Sequence, residues 1–177
     1  MEAQNITDPS TSEAIVTLCT FRLAGRLFGV NILDVKEIGG EIRISTIHHA
    51  PPAISGYMNI RGQIHLVIDL RRVFNFEPVP LAPSSRVIIF KSTVDEPFGV
   101  IVDGMDDVVA VTSERIEERR RKGDEVSQEI RERRRAPVEL TQGVCKLDKE
   151  LMVILNAKGI IAEAIGAAQT AETSAKA

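Results

Sequence analysis

Three carboxylates spaced within five positions are the residues of this sequence best suited to catalytic or metal chemistry. Asp103, Asp106 and Asp107 lie in the stretch VDGMDD, and neighbouring carboxylates can transfer protons or bind Mg²⁺. The same composition is typical of a turn with solvated acidic side chains, because glycine and aspartate both favour turns. A carboxylate-dependent enzyme is therefore a hypothesis that we keep open, while the prediction that we favour is that the protein is not an enzyme.

The histidines and cysteines offer no pattern that favours a metal or a cofactor. His48 and His49 are adjacent, so in a strand their side chains point to opposite faces. His65 lies in the apolar stretch IHLVI, where we expect a hydrogen-bonded structural histidine. Cys19 and Cys145 lie in separate alternating apolar stretches, which favours buried thiols over a disulfide. The sequence contains no Cys-x-x-Cys pair, P-loop, Gly-x-Gly-x-x-Gly, Gly-x-Ser-x-Gly or His-Glu-x-x-His motif, so we predict no metal and no cofactor.

A different kind of site is indicated by residues 56–70, GYMNIRGQIHLVIDL. Strand-forming residues flank Arg61 and Gly62 on both sides, and Gly62 can adopt a positive φ at little steric cost. The sequence therefore predicts a β-hairpin whose tip presents one cation to solvent. Turn composition leaves two roles open for Arg61, a solubilising residue or a contact with a partner.

The chain carries two copies of one pattern, in the same order. Phe28-Gly29-Val30 recurs as Phe98-Gly99-Val100 at an offset of 70, and residues 64–68 recur as residues 151–155 at an offset of 87. The second copy therefore holds seventeen extra residues between the matched blocks, and ordered recurrence of this kind indicates a duplicated structure. At the second hairpin tip Asp148-Lys149 replaces Arg61-Gly62, so the repeated fold does not itself demand arginine there.

Each copy contains several short strands, and a small antiparallel barrel would leave no strand edge open. We therefore predict a mainly β protein of two similar lobes packed on each other, with short helices. The expected organisation is a flexible tail at 1–13, a single domain at 14–161 and a flexible tail at 162–177. Within the domain, lobe one covers about 14–75, the linker FEPVPLAPSS covers 76–85, and lobe two covers about 86–161.

Composition and charge narrow the function further. The net charge of −3 gives no overall attraction to nucleic acid or anionic lipid, and no apolar run reaches the roughly 18 residues that a membrane helix needs. The first residues show no secretory signal pattern. We expect a cytoplasmic protein.

A charged segment at about 114–136 is the exception to the even charge distribution. From Arg115 to Arg135 it holds nine basic and six acidic residues, a local net charge of +3. It could be a solvated helix or loop, or an electrostatic patch for nucleic acid or an acidic surface. No aromatic residue lies in it to stack on bases, which weakens the case for nucleic acid. A nucleic-acid or acidic-surface binding module that uses Arg115 to Arg135 is the alternative function.

Four stretches in this order and spacing resemble the CheW-like family of coupling proteins in bacterial chemotaxis. They are FRLAGRLFGVNILDVKEI, APPAISGYMNIRGQIHLVIDL, FGVIVDGMDDV and GVCKLDKELMVIL, and together they run from about Thr17 to Ile161. The most specific parts are Val35-x-Glu37-Ile38, and Gly56-x-x-Asn59-x-Arg61-Gly62 followed by Ile68-Asp69-Leu70.

The resemblance implies two five-stranded barrels of the Src-homology-3 kind around a shared apolar core. It also implies a non-enzymatic adaptor at receptor arrays that couples the cytoplasmic tips of chemoreceptors (methyl-accepting chemotaxis proteins) to the regulatory domain of a CheA-type histidine kinase. The receptor-binding residues that it implies are Val35, Glu37, Ile38 and Arg61, whereas Gly56 and Gly62 would be structural turn residues. No kinase-contact residue is implied. The segment between Ile116 and Gly143 is longer and more charged than the family pattern, which puts the usual kinase contact in question.

Overall fold

The computed structural model describes residues 14–118 and 140–174, the last eight of them by backbone alone. Eleven strands and two helices occur in this part of the chain. The strands are β1 (Ile15–Leu23), β2 (Arg26–Asn31), β3 (Val35–Gly39), β4 (Ile54–Ile60), β5 (Gln63–Asp69), β6 (Arg86–Phe90), β7 (Phe98–Val102), β8 (Gly104–Thr112), β9 (Ile116–Glu118), β10 (Thr141–Lys146) and β11 (Leu151–Leu155). The helices are α1 (Leu70–Val73) and α2 (Ala157–Ser174).

The strands form two sheets, which confirms a mainly β fold. Lobe A is the six-stranded sheet in the order β8-β1-β2-β11-β10-β9, and lobe B is the five-stranded sheet in the order β3-β6-β7-β5-β4. The predicted lobe boundaries are wrong, because each sheet takes strands from both halves of the chain. The exchange is made by two parallel pairings, β2 with β11 and β5 with β7.

The duplication is confirmed by the strand registers. In lobe B Leu66 pairs with Phe98, and in lobe A Val153 pairs with Phe28; the two offsets of 87 and 70 convert the first pair into the second. The third strand of each copy is also equivalent, because Ile38 pairs with Ile88 and Val108 pairs with Cys19.

The extra residues of the second copy lie between β9 and β10. Ser45 forms an isolated bridge to Tyr57 in lobe B, and Glu117 of β9 takes the same place opposite Val144 in lobe A. Ser45 and its equivalent Glu117 are 72 positions apart, whereas Tyr57 and its equivalent Val144 are 87 positions apart. Fifteen of the seventeen extra residues therefore lie between Glu117 and Val144. Strand β9 also makes lobe A six-stranded, where five strands were expected.

Each lobe has an apolar core, and a third core lies between the lobes. Met58, Val67, Val87, Ile89 and Ile101 fill lobe B, while Leu18, Leu27, Val111, Cys145, Met152 and Ile154 fill lobe A. The largest cluster is shared between the sheets and α2, and it contains Phe21, Phe28, Phe74, Phe90 and Phe98. Burying five aromatic rings makes this shared core a large contribution to stability.

The predicted tail at 162–177 is wrong as far as Ser174, because α2 continues to that residue. Ala157, Ile160 and Ala164 are buried and recur at helical spacing, so the first two turns of α2 pack on the shared core. Residues 76–85 contain neither helix nor strand. Among the described residues, neither helix combines the length and apolar character needed to span a bilayer.

Two predicted segments fall mainly or wholly outside the described residues. These are the tail at 1–13 and most of the charged segment at 114–136. Its first residues are described, as a 3-10 turn at Ser113–Arg115 followed by β9.

Candidate partner-binding surface

The tip of the β4–β5 hairpin is a two-residue turn in which both residues have positive φ. Arg61 has φ +51° and Gly62 has φ +84°, as in the turns that match the twist of a hairpin. The side-chain Oδ1 of Asn59 accepts a hydrogen bond from the Gly62 N–H at 2.9 Å. Glycine adopts this conformation freely, whereas a residue with a side chain pays about 1 kcal/mol. The positive φ of Gly62 was predicted; that of Arg61 was not.

The tip contacts the edge strand β3 through side chains. An Nη2 of Arg61 lies 3.2 Å from an Oε2 of Glu37, and the Arg61 side chain is 85% exposed. Next to this pair, the Lys36 Nζ donates to the Gln63 Oε1 at 2.9 Å. The Glu37 side chain is 26% exposed, so the accessible charge of this pair is mainly that of Arg61. With one partner this exposed, the ion pair stabilises the fold by about 0.5 kcal/mol or less.

Three large apolar side chains are exposed on β3 and on the hairpin that carry this charged pair. Ile38 follows Glu37 on β3 and is 45% exposed, while Tyr57 and Ile64 are 46% and 55% exposed. Ile64 pairs with Asn59 and Leu66 pairs with Tyr57, so Tyr57, Asn59 and Ile64 share the outer face of the hairpin. We call Glu37, Ile38, Tyr57, Arg61 and Ile64 the tip surface. Large exposed side chains next to a solvated ion pair suit protein recognition.

The other predicted site residues lie elsewhere or have a different role. Val35 is half-buried and packs against the shared core. The prediction of Gly56 as a turn residue is wrong, because it lies within β4 at a register shift of the ladder. Gly56 has φ +143°, and a Cβ there would lie 2.2 Å from the Ser45 carbonyl oxygen. Glycine is therefore required so that residues 44–45 can approach the strand.

The three aspartates of VDGMDD do not converge. Asp103 accepts from Arg71 through both carboxylate oxygens, at 2.7 and 2.6 Å, and also accepts from the Ala24 N–H at 2.7 Å. The Asp103 hydrogen bonds raise the pKa of Arg71. Asp103 thus joins α1 to the β1–β2 turn, which is a structural role.

Arg22 joins Asp106 to Glu150. Its Nε lies 2.7 Å from Asp106, and its two terminal nitrogens donate to both oxygens of Glu150 at 2.6 and 2.7 Å. The pKa of Asp106 is lowered by a hydrogen bond from the Asp107 N–H and then by Arg22, and the pKa of Glu150 is lowered by Arg22. The remaining contact, from the Thr20 hydroxyl to Asp107, uses the Asp107 backbone carbonyl.

His65 is confirmed as a buried, hydrogen-bonded residue, since its Nδ1 lies 3.0 Å from the Gln63 carbonyl oxygen. Cys19 and Cys145 are confirmed as buried and free, and burial raises the pKa of both thiols. Within residues 14–118 and 140–174, no group of three His, Cys, Asp or Glu side chains is placed to hold a metal ion.

One arginine of the charged segment is described, and it contacts lobe A. An Nη2 of Arg115 donates to the Lys146 carbonyl oxygen at 3.1 Å and lies 3.9 Å from Asp148. The other basic residues of this segment lie outside the described residues, so nucleic-acid binding stays a prediction.

Sequence reasoning missed Tyr57, Ile64, Lys36 and Gln63 as members of this region. A signal for two of them was present, because strict alternation along β4 and β5 puts Tyr57 and Ile64 on the face opposite to Met58 and Val67. Lys36 and Gln63 meet only because β3 and the hairpin tip approach each other, which needs the tertiary fold.

Comparison with known proteins agrees with this fold. A family model described as CheW-like domain matches residues 17–164. A "Probable chemotaxis protein CheW" of Rhizobium etli is 27% identical over 147 residues, covering 82% of this chain and 87% of that protein. A "Chemotaxis protein CheW" of Klebsiella aerogenes is 35% identical over 96 residues, covering 54% of this chain and 57% of that protein. The crystal structure of the scaffolding protein TtCheW from Thermoanaerobacter tengcongensis superposes with a TM-score of 0.67 at 27% identity, covering 80% of this chain and 89% of that chain.

Proposed function

The chain belongs to the CheW-like family, and from this premise we propose that it is a non-enzymatic chemotaxis adaptor acting in the cytoplasm at receptor arrays. In this proposal the tip surface binds the cytoplasmic tip of a chemoreceptor, and another part of the protein binds the regulatory domain of a CheA-type histidine kinase. Relatives named as chemotaxis and scaffolding proteins support the adaptor role. The receptor contact is supported by the geometry of the tip.

The observation that carries the receptor contact is Arg61 in a left-handed conformation with an almost fully exposed side chain. Asparagine or glycine would suit this turn position better than arginine, and the ion pair to Glu37 adds little stability. Arginine is therefore unfavourable for the fold but well placed for binding, since its fork of donors can meet a carboxylate or a backbone carbonyl.

The apolar residues of the tip surface complete the proposed contact. A helical receptor tip presents apolar side chains with charges beside them, and Ile38, Tyr57 and Ile64 offer matching apolar area around one cation and one carboxylate. In this arrangement the apolar side chains supply most of the affinity, and Arg61 and Glu37 determine which helix faces are accepted.

Titration of a soluble receptor-tip fragment tests the proposal. Arg61→Glu should weaken binding about tenfold or more, because it removes a charge-assisted contact and adds repulsion beside Glu37. The matched control is Lys149→Glu, which makes the same charge change at the exposed tip of the other hairpin and should bind as the wild type does. Both variants should unfold within about 0.5 kcal/mol of the wild type. Unchanged receptor binding by Arg61→Glu would refute the role proposed for this arginine.

A further inference from the structure

The duplication provides an internal template for an ion site at the end of each lobe. In lobe A, Arg22 of β1 binds Asp106 of β8 and Glu150 of the hairpin loop. By the strand registers, Lys91, Lys36 and Gln63 of lobe B are the residues equivalent to Arg22, Asp106 and Glu150, in that order. The equivalence is supported by the neighbouring pairs, because Phe21 pairs with Met105 and Phe90 pairs with Val35.

The same three positions in lobe B hold two cations and no acid. The Lys36 Nζ donates to the neutral amide of Gln63 at 2.9 Å, and neither Lys36 nor Lys91 forms an ion pair with any described residue. Where lobe A places one cation between two carboxylates, lobe B therefore has an excess of two positive charges. An uncompensated pair of neighbouring cations attracts an anion.

These positions line a cavity. Lys36, Gln63 and Lys91, together with His65, Phe90, Ser92 and Thr93, enclose a volume of about 280 Å³ that is partly open to solvent. The His65 side chain is 1% exposed and is fixed by its Nδ1 contact with the Gln63 carbonyl oxygen. Two ammonium groups, two hydroxyls and an amide are thus gathered at one opening, and all of them can donate hydrogen bonds. The Nδ1–H of His65 is already donated to the Gln63 carbonyl oxygen, so this residue shapes the cavity and does not donate into it.

We propose that this cavity binds a small oxyanion, a carboxylate or a phosphate, between Lys36 and Lys91. The ligand supplies from outside the negative charge that Asp106 and Glu150 supply within lobe A. The two lysines give the charge-assisted hydrogen bonds, and the hydroxyls of Ser92 and Thr93 complete the polar lining. The site adjoins the proposed receptor contact, because Lys36 directly precedes Glu37 and Gln63 directly precedes Ile64.

Titration of the full-length protein with inorganic phosphate and with succinate tests this site, at an ionic strength held constant with sodium chloride. The amide NMR signals of Gln63, Lys91, Ser92 and Thr93 should shift and saturate with at least one of the two anions. Tighter binding of phosphate would identify a phosphate site, and tighter binding of succinate would identify a carboxylate site. Shifts that do not saturate, or that chloride alone reproduces, would overturn the proposal.

Two variants connect the binding to these residues. Lys91→Gln should weaken it about tenfold, since one charge-assisted hydrogen bond is lost, whereas the control Lys149→Gln on the other hairpin should leave it unchanged. The triple variant Lys36→Asp, Gln63→Glu, Lys91→Arg reproduces the lobe A residues and should abolish anion binding while the thermal transition stays cooperative. Anion affinity that survives in both Lys91→Gln and the folded triple variant would contradict the proposal. None of these measurements involves a receptor, so their failure is distinct from failure of the adaptor function.

Discussion

Lobes A and B share a fold but differ in the charged residues at one set of equivalent positions. In lobe A, Arg22 is paired with Asp106 and Glu150, and the Arg71–Asp103 pair joins α1, which follows β5 of lobe B, to the β1–β2 turn of lobe A. In lobe B the positions equivalent to Arg22, Asp106 and Asp103 are Lys91, Lys36 and Leu33, which are all exposed. The exposure of apolar side chains is similar in the two lobes, since Val108 and Leu151 occupy the positions of Ile38 and Ile64 and are 58% and 55% exposed.

The difference in charged residues between the two lobes indicates which of these charges the fold itself requires. Lobe A shows that charges at these positions can be neutralised internally in the same architecture. At the equivalent positions of lobe B, Lys36 and Lys91 are exposed and form no ion pair with a described residue, which suits contacts outside the chain.

The two hairpin tips differ in backbone as well as in charge. The first is a two-residue turn with positive φ at Arg61 and Gly62, whereas the second spans residues 147–150 and is closed by a 2.9 Å hydrogen bond from Leu147 to Glu150. Asp148 and Lys149 are not among the described residues with positive φ. Because the two turns differ in backbone, Asp148 and Lys149 do not show whether the first turn needs arginine. The sequence comparison of the two tips had assumed that they do.

The largest difference in stability between equivalent variants of the two lobes should come from Gly56 and Gly143, which lie at equivalent register shifts of their strand ladders. In Gly56→Ala the new Cβ would lie 2.2 Å from the Ser45 carbonyl oxygen at a φ of +143°, which should lower the free energy of unfolding by about 3 kcal/mol or more. In Gly143→Ala the nearest atom, the Glu117 carbonyl oxygen, is 2.8 Å away, and the loss should be about 1 to 2 kcal/mol. Urea denaturation measures both; equal losses would contradict the difference.

A smaller loss is expected from the internal ion pair between Arg71 and Asp103. Asp103→Asn removes the charge that binds Arg71, whose side chain is 16% exposed, and should cost about 2 kcal/mol. Asp107→Asn is the matched control, because Asp107 is exposed and uses its backbone carbonyl in its contact with Thr20. That control should change stability by about 0.5 kcal/mol or less. A similar loss in both variants would mean that Asp103 is not a structural acid.

The Arg22 network should appear as a pH dependence of stability. Asp106 and Glu150 have lowered pKa values in the folded protein, so their stabilisation is present above their unfolded pKa values and is lost as the pH falls through the folded ones. Wild type should therefore exceed Arg22→Gln in stability at pH 7, and the difference should shrink below about pH 4. Lys91→Gln, at the equivalent position of lobe B, should show no such convergence. Parallel stability curves for wild type and Arg22→Gln from pH 7 to pH 3 would rule out the network.

The sequence predicted the elements better than their partners. The mainly β fold and the repeat could be read from alternation and from the recurrence of Phe28-Gly29-Val30, since both depend on local pattern. The pairing of β2 with β11 could not, because parallel partners far apart in sequence leave no local signal. Helix α2 was missed because an alanine-rich end was interpreted as a tail, although alanine has the highest helix propensity.

Only those parts of the candidate site that depend on local sequence could be predicted. Arg61 and Gly62 were placed at a hairpin tip from turn chemistry alone, and a two-residue loop could also have predicted the positive φ of Arg61. The contact of Arg61 with Glu37, and the cavity that contains Lys36 and Lys91, both depend on β3 approaching the hairpin across the barrel.

The most direct measurement for the central claim, that Arg61 is retained for binding at a cost to the fold, is Arg61→Asn studied in both properties together. Asparagine adopts the left-handed region readily, and this gain should exceed the small loss from removing the ion pair with Glu37. The variant should therefore be as stable as the wild type or up to about 0.5 kcal/mol more stable. The same variant should bind the receptor-tip fragment more weakly than the wild type. A variant with lower stability and undiminished receptor binding would contradict the account.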